Sequence, residues 1–398
     1  LSMKESTKTS LPPILGCVVI QICAGILYIW SIFRYPVKKT FNWSDDAVIM
    51  VSSYMLFAFV AGSLIGGILN DKKGPKLTSM VGVVLFAFGV GLTGLLTPKT
   101  IGLLNLTYCV LGGLGSGIAY IACISCIQKW LPHRRGLASG IAVSAFAFST
   151  VIFAPISKWL MGIFTNDRTG LVNFTPVFFI LGGVFLIVGL IGCALVQLPD
   201  SHYLANLPKG TVSAKLQMRE DKTLLQAMKT VPFWCIFFEL IFINGTWTLS
   251  IPLIKDLGME RGLSEAMAVF AVSFTGIPNA AGRLIMATLS DKIGRTTSII
   301  ILAGMTVIGA VLMTFVGGYS FIITVSLIAF AYGGPASINA ALTTDFFGPK
   351  NAGTNWGALM LGLGISSVLF NAISSHILKG AIVPTYTMAA ISAVIPII

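Results

Sequence analysis

The chain has 398 residues and a formal net charge of +12, yet only 10% of its residues are charged and 55% are hydrophobic. Its mean hydropathy is +0.89, which excludes a water-soluble domain, because such a domain needs far more polar surface. The charge is not a nucleic-acid footprint either, since Lys and Arg are scattered through short segments between apolar runs, as in a polytopic helical membrane protein.

Leu1 to Ser10 is polar and reads as a disordered N-terminal tail, residues 1–10. The first apolar run is too long for a cleavable signal peptide and continues as a spanning helix. Apolar runs predict twelve spans: 11–33, 46–70, 76–97, 101–129, 136–165 and 172–197, then 232–255, 263–290, 296–317, 320–345, 352–378 and 381–398. Leu198 to Val231 is the one long polar stretch, with Lys209, Lys215, Arg219, Lys222 and Lys229 against Asp200, Glu220 and Asp221. It reads as a linker, residues 198–231, between a six-helix bundle at 11–197 and a second at 232–398. The last span stops at Ile398 without a polar tail, so it is expected to be truncated.

Loop charge predicts the orientation. With the N-terminus inside, the inner segments carry 16 basic residues and the outer segments 9, the remaining one being Arg283 within a span. That bias places both termini in the cytoplasm, in an inner or plasma membrane. All seven cysteines fall in apolar segments, which argues against a disulfide framework, and Cys123-Ile-Ser-Cys126 is read as packing. Asn42-Trp-Ser44 and Asn173-Phe-Thr175 lie in outer loops and would be glycosylation acceptors in a eukaryote. The stripes Gly62-x-x-x-Gly66, Gly113-x-x-x-Gly117 and Gly353-x-x-x-Gly357 predict close helix crossings.

The halves repeat. Gly67-Ile-Leu-Asn-Asp71-Lys-Lys-Gly74 follows the second span, and Ala287-Thr-Leu-Ser-Asp291-Lys-Ile-Gly294-Arg295 follows the eighth. A second echo pairs Pro132-His-Arg-Arg-Gly136-Leu-Ala-Ser-Gly140 with Pro349-Lys-Asn-Ala-Gly353-Thr-Asn-Trp-Gly357, at the entries to spans five and eleven. Two matched pairs at similar offsets point to a duplicated six-helix unit.

Arg283 stands inside the apolar run of span eight. At ~1.5 Å rise per residue it lies roughly 12 Å from Asp291, close to the bilayer centre if Asp291 marks the surface. A guanidinium there costs at least ~2.5 kcal/mol, so it needs a cavity or a partner. A bundle ion pair satisfies that need, and so does an anion site in a transport pathway. Pro278 favours the second, because it frees a backbone carbonyl that is tolerated best beside a water-filled cavity. Arg283 matches a carboxylate bidentately. Asn279, one turn earlier, is placed to bind a substrate oxygen, to orient Arg283 or to bond a neighbouring helix. Glu239 is the one acid well inside a span, at a similar depth. Desolvation favours its neutral form, which makes it a proton-coupling candidate, with a structural pairing to Arg283 or a helix-end hydrogen bond as the alternatives.

The G-x-L-x-D-x-x-G pattern, once per half with twelve spans, resembles the signature loop of the major facilitator superfamily. Lys129-Trp-Leu-Pro-His-Arg-Arg-Gly-Leu-Ala-Ser-Gly140, Thr344-Asp-Phe-Phe-Gly348 and Asn355-Trp-Gly357 are similar to the oxalate:formate antiporter family, and Asn279-x-x-x-Arg283 to a pair in span eight of lactate and pyruvate carriers. The resemblance implies an all-α membrane protein of two pseudo-symmetric six-helix bundles, with a central site reached alternately from either side and a small carboxylate as cargo. It further implies cavity aromatics at Tyr28, Trp30, Tyr120, Phe146 and Tyr332. In Trp30 and Phe146 packing is an equal alternative. Oxalate carriers of the resembled family place a lysine in span eleven, and alignment through Asn355-Trp-Gly357 puts that position at Leu363.

One cation neutralises one carboxylate, so the expectation is a secondary transporter of monocarboxylates of the lactate, pyruvate, acetate or formate class, with protons as a coupling partner. The alternatives are an oxalate/formate-type dicarboxylate exchanger and a non-transporting nutrient sensor, for which the central loop is short. Asp71 and Asp291, with Arg295 and Arg135 as basic partners, are read as gating residues at helix ends, with a topology signal alone as the alternative. No nucleotide-binding G-x-x-x-x-G-K-[ST] occurs, and His133, His202 and His376 fall near loops or span ends, so neither ATP drive nor intramembrane enzymology is expected. No cofactor, metal or nucleic acid is expected, and the lipid bilayer surrounds a functional monomer.

Overall fold

A computed structural model describes residues 3–200, 203, 221–250, 254–377 and 382–397. The linker charges Lys209, Lys215, Arg219 and Glu220, together with His202 and Lys379, lie outside the described residues. Among those described, eleven helices are long and apolar enough to cross a membrane, from Ser10–Tyr28 to Ala352–Phe370, and a shorter apolar helix follows at Ile382–Val394. The chain is an integral membrane protein built of helices.

Two compact units divide the chain. One comprises residues 1–133, 145–221 and 347–358, and the other residues 134–144, 222–346 and 359–398. The start of the helix Arg135–Ile163 thus clusters with the second unit, and most of Ala352–Leu359 with the first. In the first unit Asp45–Lys73 and Pro75–Leu92 pack on Gly113–Trp130, and Phe174–Leu195 covers Met3–Ala24 and Pro75–Leu92. In the second, Val231–Ile243 packs on Leu361–Ala372, and Arg295–Leu312 on Ile382–Val394.

The close crossings have a glycine cause. A Cβ on Gly62 would meet the Leu114 backbone, and one on Gly66 would stand 2.6 Å from Ile118 Cα. Small residues let backbones approach, which supplies van der Waals contact where the hydrophobic effect is absent.

Three features depart from the expected boundaries. The first helix begins at Met3, so it takes in most of the segment expected to be a disordered tail. Propagating an existing helix by two turns costs little compared with nucleating one. The first span is also interrupted, by a 3-10 turn at Gly25–Tyr28 before Trp30–Phe41. Span eight is divided at Thr275, between Glu265–Phe274 and Gly276–Ile293. Pro278 has no N–H to return to Phe274, so the break falls where the helix ladder loses that bond.

Both Asn-x-Ser/Thr triplets serve as helix caps. Asn42 takes the left-handed conformation (φ 55°) that ends Trp30–Phe41, while Ser44 Oγ accepts from Ala47 N at the next helix start. Asn173 Oδ1 likewise accepts from Thr175 N.

Candidate functional site

Arg283 sits on Gly276–Ile293, two turns past the break at Thr275. It is 4% exposed, and it is the only buried Lys or Arg among the described residues. Its Nε donates to Asn279 Oδ1 at 2.8 Å, and Nη1 donates to the Val143 carbonyl at 3.3 Å. The i to i+4 spacing puts Asn279 and Arg283 on one helix face, and the short bond between them holds the guanidinium in one orientation. Gly333 lies against this turn, where a Cβ would stand 3.1 Å from Arg283 N and 3.2 Å from its Cγ. Next to Gly333, Tyr332 stacks on Trp247 with ring centroids 5.4 Å apart and planes at 26°. Trp247 was not singled out by sequence, and an aromatic among many in apolar runs gave no signal.

Glu239 is buried on Val231–Ile243, but its partner is Asn339, whose Nδ2 donates to Glu239 Oε2. The alternative of a Glu239–Arg283 pair is therefore not what the structure contains. The two side chains are held by different neighbours, Asn339 for the acid and Asn279 for the base. Leu363 is half-buried near the start of Leu361–Ala372, just past a break at Met360. Its neighbour Gly362 faces the span-seven helix, where a Cβ would stand 2.8 Å from the Phe237 carbonyl.

The aromatics of the first unit form one cluster. Phe146 meets Tyr28 edge-on at 5.7 Å and Tyr120 at 5.2 Å, and Phe59 joins both Tyr120 (5.2 Å) and Phe146 (5.5 Å). All but the tilted Phe59–Phe146 contact are edge-to-face, which places the positive ring edge on a negative face. Phe59 was not foreseen. Trp30 belongs elsewhere: fully buried, it donates from Nε1 to the Val48 carbonyl at 2.9 Å and packs on Tyr108.

The repeated motifs occupy equivalent local settings. Asp291 Oδ1 and Oδ2 accept from Gly136 N and Leu137 N, both at 2.9 Å, at the N-terminus of Arg135–Ile163. Asp71 accepts from Gly353 N at 3.2 Å and Thr354 N at 2.7 Å, at the N-terminus of Ala352–Leu359. In each case a carboxylate meets free N–H groups and the positive end of the helix dipole. Glycine is needed at both positions, because a Cβ on Gly136 would strike the Ala287 carbonyl and one on Gly353 would stand 2.8 Å from Asp71 Oδ1. Around Asp291 a charge chain extends: Arg295 bonds Asp291 (2.7 Å) and Asp345 (3.1 Å), and Arg135 bonds Asp345 (2.9 Å). Asp345 completes this chain. It stood in the Thr344-Asp-Phe-Phe-Gly348 segment, but only a three-dimensional contact reveals that it bridges two arginines.

All seven cysteines are free, six of them buried and Cys235 exposed, and no group of metal-ligating side chains occurs among the described residues.

The chain is 23% identical over 370 residues to the oxalate:formate antiporter of Oxalobacter formigenes, covering 92% of this chain and 84% of that one. It is 22% identical over 467 aligned positions to apicoplast pyruvate carrier 1 of Toxoplasma gondii, covering 94% and 84%. Among solved structures, the fucose:proton symporter of Escherichia coli superposes with a TM-score of 0.71 at 16% identity, over 98% of this chain and 97% of that one, a likeness of fold. Residues 15–371 match the family description "Major Facilitator Superfamily", and the chain belongs to that superfamily of membrane transporters.

Proposed function

We propose that the protein is a secondary transporter of small monocarboxylates, of the lactate, pyruvate, acetate or formate class, working by alternating access. The observation that carries this reading is the single buried base among the described residues, Arg283, held in plane by Asn279. A guanidinium kept in one orientation offers parallel N–H donors to one carboxylate. A second carboxylate in the same low-dielectric surroundings would stay uncompensated, at a cost of several kcal/mol. Two relatives support the cargo class, one named for oxalate and formate and one for pyruvate. Tyr332 is assigned to shield the anion from water, its phenol serving as a hydrogen-bond donor, and Tyr28, Tyr120 and Phe146 are assigned as cavity-lining aromatics of the first unit. The inner-side loop charge supports cytoplasmic termini, and nothing in the site calls for a second copy.

Counterflow in proteoliposomes tests transport. Labelled lactate, pyruvate or formate should accumulate against unlabelled internal substrate. No accumulation for any monocarboxylate would reject the reading, and accumulation of oxalate alone would favour the dicarboxylate exchanger that the antiporter relative suggests.

Asp71 and Asp291 are assigned to gating. Each carboxylate ties a helix N-terminus in the present arrangement and must release it in the alternate state. Charge-assisted bonds of this kind contribute roughly 1.5–3 kcal/mol each. Asp71→Asn and Asp291→Asn should therefore slow counterflow by about tenfold or more, while carboxylate affinity, set at Arg283, stays near the parent value. Parent turnover in both variants would end the gating assignment.

A further inference from the structure

Glu239 and Asn339 leave two acceptors without partners. Glu239 is 8% exposed and Asn339 fully buried. Asn339 Nδ2 donates to Glu239 Oε2, yet Glu239 Oε1 and Asn339 Oδ1 have no hydrogen-bond partner. Both orphans are lone-pair oxygens on the two groups already bonded to each other. An ionised Glu239 would leave a buried carboxylate oxygen without a donor, on a group bonded to an amide whose own oxygen also lacks one. One proton resolves both defects. With a hydroxyl at Oε1 donating to Asn339 Oδ1, the acid and the amide form a reciprocal pair in which every polar atom is used.

We infer that Glu239 and Asn339 together form a one-proton binding site inside the second unit, with Asn339 as the positioning residue that holds Glu239 in its neutral form. This deepens the transport reading, on which only its coupling role rests. The groups around the pair fit a lone titrating acid. Leu224–Met228, Gly245–Ser250 and Leu361–Ala372, which pack on the Glu239 helix or follow it, contain no acid or base. On Ile382–Val394 the only titratable group is Tyr386, bonded to Ser250. On Tyr319–Phe347, the helix of Asn339, Asp345 is engaged by Arg135 and Arg295, Tyr332 stacks on Trp247, and Tyr319 is exposed at the helix start. Arg283, on the Gly276–Ile293 helix that packs on Tyr319–Phe347 at Gly333, is bonded to Asn279 and the Val143 carbonyl and makes no ion pair with Glu239, so loading and unloading of the site is the exchange of one H+ with water. The proton leaves when the pair opens and Oε1 meets solvent.

The test is infrared spectroscopy on the full chain in liposomes, together with uptake. At neutral pH the parent should show a carboxylic-acid C=O band that shifts in heavy water and vanishes in Glu239→Gln. That variant preserves the pair geometry, because a Gln amide donates to Asn339 Oδ1 and accepts from Nδ2, so it should fold. In Asn339→Leu the same band should move to higher frequency, as a C=O without its donor does, and the pH profile of uptake should shift. Glu239→Gln should bind carboxylate like the parent but lose stimulation by an inward proton gradient. The inference is overturned if the parent lacks the band, if Glu239→Gln keeps the parental pH profile, or if a sodium gradient drives uptake through these residues instead. If the band is present but no carboxylate binds, the proton site stands and the cargo reading fails.

Discussion

Replacing Arg283 with Ala is expected to lower carboxylate affinity by about 30-fold to 1,000-fold. Truncating one member of a buried, hydrogen-bonded charge pair typically costs ~2–5 kcal/mol, and each ~1.4 kcal/mol is tenfold. Arg283 is 4% exposed and fixed by Asn279 and the Val143 carbonyl, so water cannot replace it cheaply and no other buried base among the described residues can take its place. The same substitution strips the donor from Asn279 Oδ1, which adds a stability loss of roughly 1–3 kcal/mol. Binding must therefore be measured on protein shown to be folded, by titration calorimetry below the melting temperature. Arg283→Lys separates charge from geometry. It keeps the positive charge but loses the planar fork, so affinity should fall between the parent and Arg283→Ala. Parental affinity in Arg283→Ala would remove Arg283 from the substrate site.

The second large effect is a change of preference. Leu363→Lys is expected to raise the affinity ratio of oxalate over lactate by about 10-fold to 100-fold, the effect of ~1.4–2.8 kcal/mol of added charge compensation. The position is half-buried next to Gly362, which touches the helix of span seven, so a Lys stem can extend along the helix surface. The new ammonium costs ~2.5–3.5 kcal/mol in the membrane when unpaired, so the variant should be less stable without ligand and regain stability with a dianion. Melting temperatures with and without oxalate read both effects. A ratio equal to the parent's would show that Leu363 does not face the cargo.

How much of this was legible in the sequence follows from the range of each interaction. Apolar runs revealed the spans, because a membrane helix must be about 20 residues of apolar side chains whatever its neighbours. The Asp71 and Asp291 repeats marked their positions in the same way, since a carboxylate beside a glycine-marked helix start is a local pattern. Asn279 and Arg283, four residues apart, were also readable as a pair. Partners drawn from distant segments were not. Glu239 and Asn339 are 100 residues apart, and Arg135 and Asp345 are 210 apart. A membrane helix is apolar on nearly every face, so periodicity does not say which side meets which neighbour. The same limit kept Phe59 and Trp247 out of view. The break at Thr275 had a cause in Pro278, whereas the turn Gly25–Tyr28 itself contains no proline and is specified by packing, where a Cβ on Gly25 would clash with the Phe146 carbonyl.

The central claim is that one fixed positive charge selects a carboxylate bearing one negative charge. The most direct measurement is the affinity of the unmodified protein for formate, lactate, pyruvate and oxalate at neutral pH, read as ligand-induced thermal stabilisation and checked by competition in counterflow. The account predicts that at least one of the three monocarboxylates binds more tightly than oxalate. Tighter binding of oxalate, or of another dicarboxylate, than of all three would contradict it and would mean that a second cation reaches the site.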